Sequence, residues 1–118
     1  VNIPSGASIT HNTATGTGGG ISNAGTLSAL ATSTITNNTA TGNGGGIFNS
    51  GTLGAITTPT LNNNTGANGG GIYSSNGILT VTNGSINSNI TTAAAAGGGI
   101  FYAGSGASTV TGATVNNN

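Results

Sequence analysis

Very few side chains of this sequence can move a proton or bind a metal ion. The 118 residues include no Lys, Arg, Asp, Glu or Cys, and His11 is the only histidine. A lone imidazole has no second ligand for a metal and no carboxylate to orient it as a general base. Glycoside hydrolysis normally needs two carboxylates, and calcium sites are built mainly from carboxylate oxygens. We therefore expect no enzyme activity, no metal site and no cofactor.

The lack of charge also narrows the choice of partners. Binding to nucleic acids depends on Lys and Arg side chains that neutralise phosphates, and adsorption to anionic lipid headgroups depends on the same residues. No stretch reaches the about 18 consecutive apolar residues of a membrane-spanning helix. We expect no nucleic-acid partner and no membrane insertion.

Aromatic residues that recur directly after the motif Gly-Gly-Gly-Ile are one candidate for a recognition surface. They are Phe48, Tyr73 and Phe101, and the first copy of the motif is followed by Ser22 instead. If the isoleucine points inward, its neighbour points outward, because successive side chains of a strand alternate. This aromatic column then either stacks on a sugar or a neighbouring molecule, or forms an aromatic ladder that stabilises the protein itself.

Two further polar patterns are candidates for binding or modification. The pair Thr13 and Thr15 recurs once as Thr39 and Thr41, and regular threonine arrays of this kind resemble the ice-binding faces of some antifreeze proteins. The array decays in the later copies. Asn-X-Ser/Thr sequences, which are potential glycosylation sites, occur at Asn37, Asn63, Asn83 and Asn89.

All of these positions belong to a tandem repeat of about 26 residues, which has to be recognised before local structure is assigned. Its apolar columns predict the core, and they contain Ile9, Ile35, Leu61, Ile86 and Val115; Ile21, Ile47, Ile72 and Ile100; and Leu30, Ile56, Val81 and Val110. Three residues after each member of the first column stands an asparagine, at Asn12, Asn38, Asn64, Asn89 and Asn118. His11 aligns with Asn37, Asn63 and Ser88, so we interpret it as a surface substitution in a polar column.

The residue types indicate strands rather than helices. Thr, Ile and Val favour strands, whereas Gly and Asn supply turns. A coil of about 26 residues is long enough for three short faces around a narrow core, and stacked coils pair in parallel about 4.8 Å apart. We predict an all-β parallel β-helix, or β-solenoid, of about 4.5 coils. It forms a single domain over residues 1–118, with coils that start near Ile9, Ile35, Leu61, Ile86 and Val115.

The Gly-Gly-Gly-Ile run, the Ile-X-X-Asn step and the Gly-Thr-Leu element resemble the repeats of right-handed parallel β-helix surface proteins. Among these are the GGxI repeats of the chlamydial polymorphic outer membrane proteins, an adhesin-like family. The resemblance covers nearly the whole chain. It implies a right-handed β-helix, a secreted or cell-surface location, and an inward-facing asparagine ladder at one corner of the coil.

Self-association is the function that the sequence favours. The strand edges of a solenoid template further pairing unless charge, proline or a cap blocks them, and this chain has no charge and only Pro4 and Pro59. We therefore expect an extracellular structural protein that stacks with copies of itself into a fibre, sheath or surface layer. An adhesin-like segment that binds a glycan or host surface is the alternative, and ice binding is the third hypothesis.

Overall fold

The computed structural model of this protein describes residues 1–94 and 97–118. It consists of short parallel strands that stack one coil above the next. The described residues form no helix, and so none that is long and apolar enough to cross a membrane. Partner strands lie about 26 residues apart in sequence, as in the pairing of Ile9 with Ile35. The prediction of an all-β parallel solenoid with coils of about 26 residues is confirmed.

Each strand is only two or three residues long, because glycine, asparagine or another turn residue interrupts the chain soon after each strand begins. In chain order the strands are β1 Ser8–Thr10, β2 Thr13–Ala14, β3 Ile21–Asn23, β4 Thr26–Leu27, β5 Leu30–Ala31, β6 Thr34–Thr36, β7 Thr39–Ala40, β8 Ile47–Asn49, β9 Thr52–Leu53, β10 Ile56–Thr57, β11 Thr60–Asn62, β12 Thr65–Gly66, β13 Ile72–Ser74, β14 Thr80–Thr82, β15 Ser85–Asn87, β16 Ile90–Thr91, β17 Ile100–Tyr102, β18 Thr109–Thr111 and β19 Thr114–Asn116.

The strands are shared among five parallel sheets, and each sheet takes at most one strand from a coil. The largest sheet has the order β1-β6-β11-β15-β19. Three sheets have four strands, in the orders β18-β14-β10-β5, β16-β12-β7-β2 and β17-β13-β8-β3, and the last is the pair β4-β9. A coil therefore contributes up to five short strands. Its handedness remains a prediction from the family resemblance.

The predicted apolar columns are in register from coil to coil. In the first column, Ile35 pairs with Ile9 on one side and with Leu61 on the other, and Ile86 continues the series. These residues form a single core in which Ile35, Leu61 and Ile86 have almost no exposed surface. Three further buried leucines were not among the predicted core residues: Leu27 and Leu53, which pair in the sheet β4-β9, and Leu79.

Two predicted core residues are not buried. Val110 and Val115 occupy their expected columns but are 45% and 44% exposed. In this structure their strands, β18 and β19, pair with a neighbouring strand on one side only. Ile9 and Ile100, which also lie on outer strands, are partly buried for the same reason.

Residues with positive φ turn the chain at recurrent places in the coils, and two of these turn columns include residues other than glycine. One turn column is made by His11, Asn37, Asn63, Ser88 and Asn117, with φ between 53° and 58°. The other consists of Gly6, Thr32, Thr58, Asn83 and Gly112. Gly and Asn adopt this conformation readily, whereas a β-branched residue with positive φ is strained. Thr32 and Thr58, at φ 50° and 48°, are therefore the strained members of the second column.

We predict that Thr58→Asn stabilises the protein by about 1 kcal/mol, because it relieves this strain. The next coil already has Asn83 at the equivalent position, with φ 58°. Urea denaturation measures the change in the free energy of unfolding. Thr57→Asn is the matched control: Thr57 lies within strand β10, where asparagine is disfavoured, so this variant should lose stability. Equal effects of the two substitutions would contradict the assignment of strain to Thr58.

Candidate functional site

A continuous ladder of asparagine side chains runs along the solenoid. The structure brings together all five predicted residues, with Asn38, Asn64 and Asn89 completely buried and Asn12 and Asn118 at its two ends. Each asparagine follows a left-handed residue, which turns the chain after the preceding strand of the largest sheet. That turn directs the asparagine side chain back beneath the strand, into the interior.

Asn64 shows how an inner rung is satisfied. Its Oδ1 accepts hydrogen bonds from the backbone N–H and the Nδ2 of Asn38, at 3.0 and 3.1 Å. Its Nδ2 donates to Oδ1 of Asn89 at 3.0 Å and to the carbonyl oxygen of Ile35 at 2.8 Å. An asparagine side chain has two donors and two acceptor sites, so Asn64 uses all of them. Among the described residues, no buried side-chain nitrogen or oxygen lacks a partner.

The ladder has a direction. Each Nδ2 donates to the asparagine of the following coil, from Asn12 to Asn38 and on to Asn118. The amide dipoles therefore point the same way, and hydrogen bonds aligned in a chain polarise and strengthen one another.

The Gly-Gly-Gly corner packs directly against this ladder. Gly44 has φ 69°, which lets the chain turn into strand β8. A Cβ on Gly46 would lie 3.1 Å from Nδ2 of Asn64 and 2.6 Å from the carbonyl oxygen of Gly71. The glycine run therefore leaves the space that the asparagine amide occupies, and the two sequence motifs are parts of one structural unit.

A second buried polar column was not predicted from the sequence. Asn23 donates to Oδ1 of Asn49 at 2.7 Å, and Asn49 donates to Oγ of Ser74 at 3.1 Å. In the first three copies of the Gly-Gly-Gly-Ile motif these residues lie two positions after the isoleucine. Side chains two apart on a strand point the same way, so they face inward as the isoleucine does, and this alternation could have predicted them. In the fourth copy Tyr102 takes the position, and its hydroxyl lies 2.6 Å from the carbonyl oxygen of Gly77.

The aromatic column forms a stack on the outer side of strands β8, β13 and β17. The ring centroids of Phe48 and Tyr73 are 5.4 Å apart and those of Tyr73 and Phe101 are 5.2 Å apart, with interplanar angles of 8° and 5°. Both faces of the Tyr73 ring are therefore covered by other rings. Phe48 pairs on its other side with the small Ser22. This geometry favours the ladder interpretation over stacking of sugars along the column.

Thr13 and Thr39 lie in the sheet β2-β7-β12-β16, whereas Thr15 and Thr41 directly follow its strands β2 and β7. Thr13, Thr39 and Thr65 are in register, and the exposed Ile90 continues their column. The regular hydroxyl array predicted for Thr13 and Thr39 is thus interrupted by an apolar side chain in the fourth coil.

The polar residues with potential for modification differ in exposure. Asn37, Asn63 and Asn83 are exposed turn residues, whereas Asn89 is buried in the ladder and is inaccessible in the folded protein. His11 is exposed in its turn column and belongs to no cluster of metal-ligating residues in the described parts of the chain. Residues 1–94 and 97–118 enclose no ligand-sized cavity.

We predict that Asn64→Leu lowers the free energy of unfolding by about 3–5 kcal/mol. Two buried donors of Asn38 lose their acceptor, at a cost of about 1–3 kcal/mol each, and the carbonyl oxygen of Ile35 loses its donor. Asn12→Leu is the matched control. Asn12 is exposed and only donates within the ladder, so its loss should cost about 1 kcal/mol or less. Guanidinium denaturation of both variants measures the difference in the free energy of unfolding. Similar losses would show that the buried rungs contribute no more to stability than the exposed end of the ladder.

Comparison with known proteins gives a family match for part of the chain. Residues 32–50 match the family model of the Chlamydia polymorphic membrane protein (Chlamydia_PMP) repeat. This segment contains one Ile-X-X-Asn step and one Gly-Gly-Gly-Ile corner, the two motifs that build the ladder. No curated protein and no solved structure matches the chain. The chain is therefore a β-solenoid repeat protein similar, in its repeat, to the polymorphic membrane proteins.

Proposed function

We propose that this chain is a surface-associated repeat protein that stacks with copies of itself into an extracellular fibre, sheath or surface layer. The match to a membrane-protein repeat and the parallel solenoid support the surface location. The observation that carries self-association is the direction of the asparagine ladder. A directional ladder presents donors on one side of the stack and acceptors on the other.

The polypeptide of residues 1–118 exposes complementary groups on its two outer coils. Asn118 uses one Nδ2 hydrogen to bind the carbonyl oxygen of Ile86, at 2.8 Å, and its second Nδ2 hydrogen has no acceptor among the described residues. At the opposite side, Oδ1 of Asn12 accepts no hydrogen bond from the described residues, although its Nδ2 donates to Asn38. A second copy placed head to tail would continue the series in the same direction.

Apolar burial favours the same contact. Val110 and Val115 belong to the core columns but are nearly half exposed, and another coil over them would remove that surface from water. The outer strands also carry backbone groups that can pair with a further parallel strand. Head-to-tail contacts that do not close into a ring produce filaments.

Because the side chains carry no charge, electrostatic repulsion does not oppose such stacking. An ionised column would place like charges about 4.8 Å apart, at a cost of roughly 0.9 kcal/mol per neighbouring pair even in water. A surface without net charge also lacks the repulsion that keeps proteins monomeric. The association should therefore depend little on salt concentration.

Two lysine variants test the proposal. Val115→Lys places a charge in the exposed core column of strand β19, and it should keep the protein monomeric because the contact would bury that charge. Thr114→Lys adds the same charge one residue earlier, on the outward side, and should assemble like the unmodified protein. Negative-stain microscopy and sedimentation velocity measure the outcome. Dispersed monomers of the unmodified protein at all concentrations, or equal assembly of the two variants, would contradict the proposal.

The remaining functional hypotheses have less support. Both faces of the Tyr73 ring are covered by Phe48 and Phe101, so only the two end rings offer a face to a sugar, and the threonine array is interrupted by Ile90. We propose a non-enzymatic role because the sequence lacks every acidic and basic side chain other than His11. A homopolymer with no cofactor is the assembly consistent with that composition.

A further inference from the structure

We propose that Asn76 is a site of self-catalysed deamidation, through which the folded chain acquires its first acidic side chain. Asparagine followed by glycine is the sequence in which this reaction is easiest, because a glycine presents no side chain to hinder its own nitrogen. The chain contains four such pairs, at Asn43, Asn68, Asn76 and Asn83. Their surroundings in the fold single out Asn76.

The reaction starts with attack of the Gly77 backbone nitrogen on Cγ of Asn76. In the structure this nitrogen lies 2.9 Å from Oδ1 of the same asparagine, so nucleophile and side-chain carbonyl are already adjacent. A nitrogen–carbon bond forms, the Cγ–Nδ2 bond breaks, and ammonia leaves with the proton of the Gly77 amide. Water then opens the resulting succinimide to aspartate or isoaspartate. The net change is amide plus water to carboxylic acid plus ammonia, with no oxidant or reductant.

The fold also stabilises the charge that develops during this attack. Loss of the Gly77 N–H proton places negative charge on the carbonyl oxygen of Asn76. That oxygen accepts hydrogen bonds from Oγ of Ser74 at 3.2 Å and from Nδ2 of Asn49 at 3.4 Å. Donors aimed at a developing oxyanion favour its formation, as they do in enzyme oxyanion holes.

The other asparagine-glycine pairs are restrained by neighbouring coils. The Gly44 nitrogen donates to the carbonyl oxygen of Asn68 at 2.9 Å, and Asn68 donates through Nδ2 to Oδ1 of Asn43 at 2.7 Å. Gly84 lies against Pro59. By contrast, the nearest atom to a Cβ built on Gly77 is 3.8 Å away, and both Asn76 and Gly77 are exposed. One contact ties Asn76 to the neighbouring coil, from its Nδ2 to the carbonyl oxygen of Ser50 at 3.2 Å, and this bond must break as Nδ2 leaves.

Peptide mapping by mass spectrometry tests the proposal on the intact 118-residue protein, incubated at mildly alkaline pH in buffer and in denaturing urea. In urea the four pairs should react at similar rates. In buffer, Asn76 should react at least tenfold faster than Asn43, Asn68 and Asn83. Protection of Asn76 equal to that of the other three, or earlier reaction at any of them, would overturn the proposal.

Two variants separate the roles of sequence and fold. Asn76→Gln should remove the early acidic product without changing the other sites. Ser74→Ala should slow the reaction of Asn76 severalfold in buffer but not in urea, because Oγ acts only in the folded chain. If Ser74→Ala unfolded the protein, all four sites would accelerate together in buffer. An unchanged rate at Asn76 in the folded variant would refute the oxyanion contribution. None of these readouts depends on self-association.

Discussion

Hydrogen bonding of buried amide groups is the constraint on which this solenoid depends. A coil of two- and three-residue strands leaves many polar groups close to a narrow core, and each unpaired buried group would cost about 1–3 kcal/mol. The asparagine ladder meets this constraint by repetition, because each inner rung uses the same donors and acceptors toward its neighbours. A single coil cannot do so alone, which is why the structure is a stack.

The composition follows from that repetition. The glycine run is needed because a Cβ at Gly46 would collide with the adjacent coil and crowd Asn64. Charged residues are disfavoured because residues in one column lie about 4.8 Å from their copies. Even the outer surface follows the period, as the stacked rings of Phe48, Tyr73 and Phe101 show. The same repetition therefore accounts for the glycine runs, the lack of charge and the stacked aromatic rings.

The sequence predicted those parts of the fold that identical residues mark in successive coils. Columns of isoleucine and of asparagine can be found by aligning the sequence with itself at an offset of one coil. The polar column of Asn23, Asn49 and Ser74 was missed because its residue type changes between coils. The strained turns at Thr32 and Thr58 were missed because threonine ordinarily favours strands. Exposure of Val115 depends on whether another coil covers it, which no residue pattern specifies.

Native-state hydrogen exchange by NMR tests most directly whether the ladder holds the fold together. The backbone amides of Asn38, Asn64 and Asn89 donate to the next rung, and their side-chain amides do the same. If the ladder holds the stack together, these protons exchange only through global unfolding. Their free energy of exchange and its dependence on denaturant should then equal the values for the most protected strand amides. Exchange of the ladder amides through local opening, while the strands beside Ile35 and Leu61 stay protected, would contradict this account.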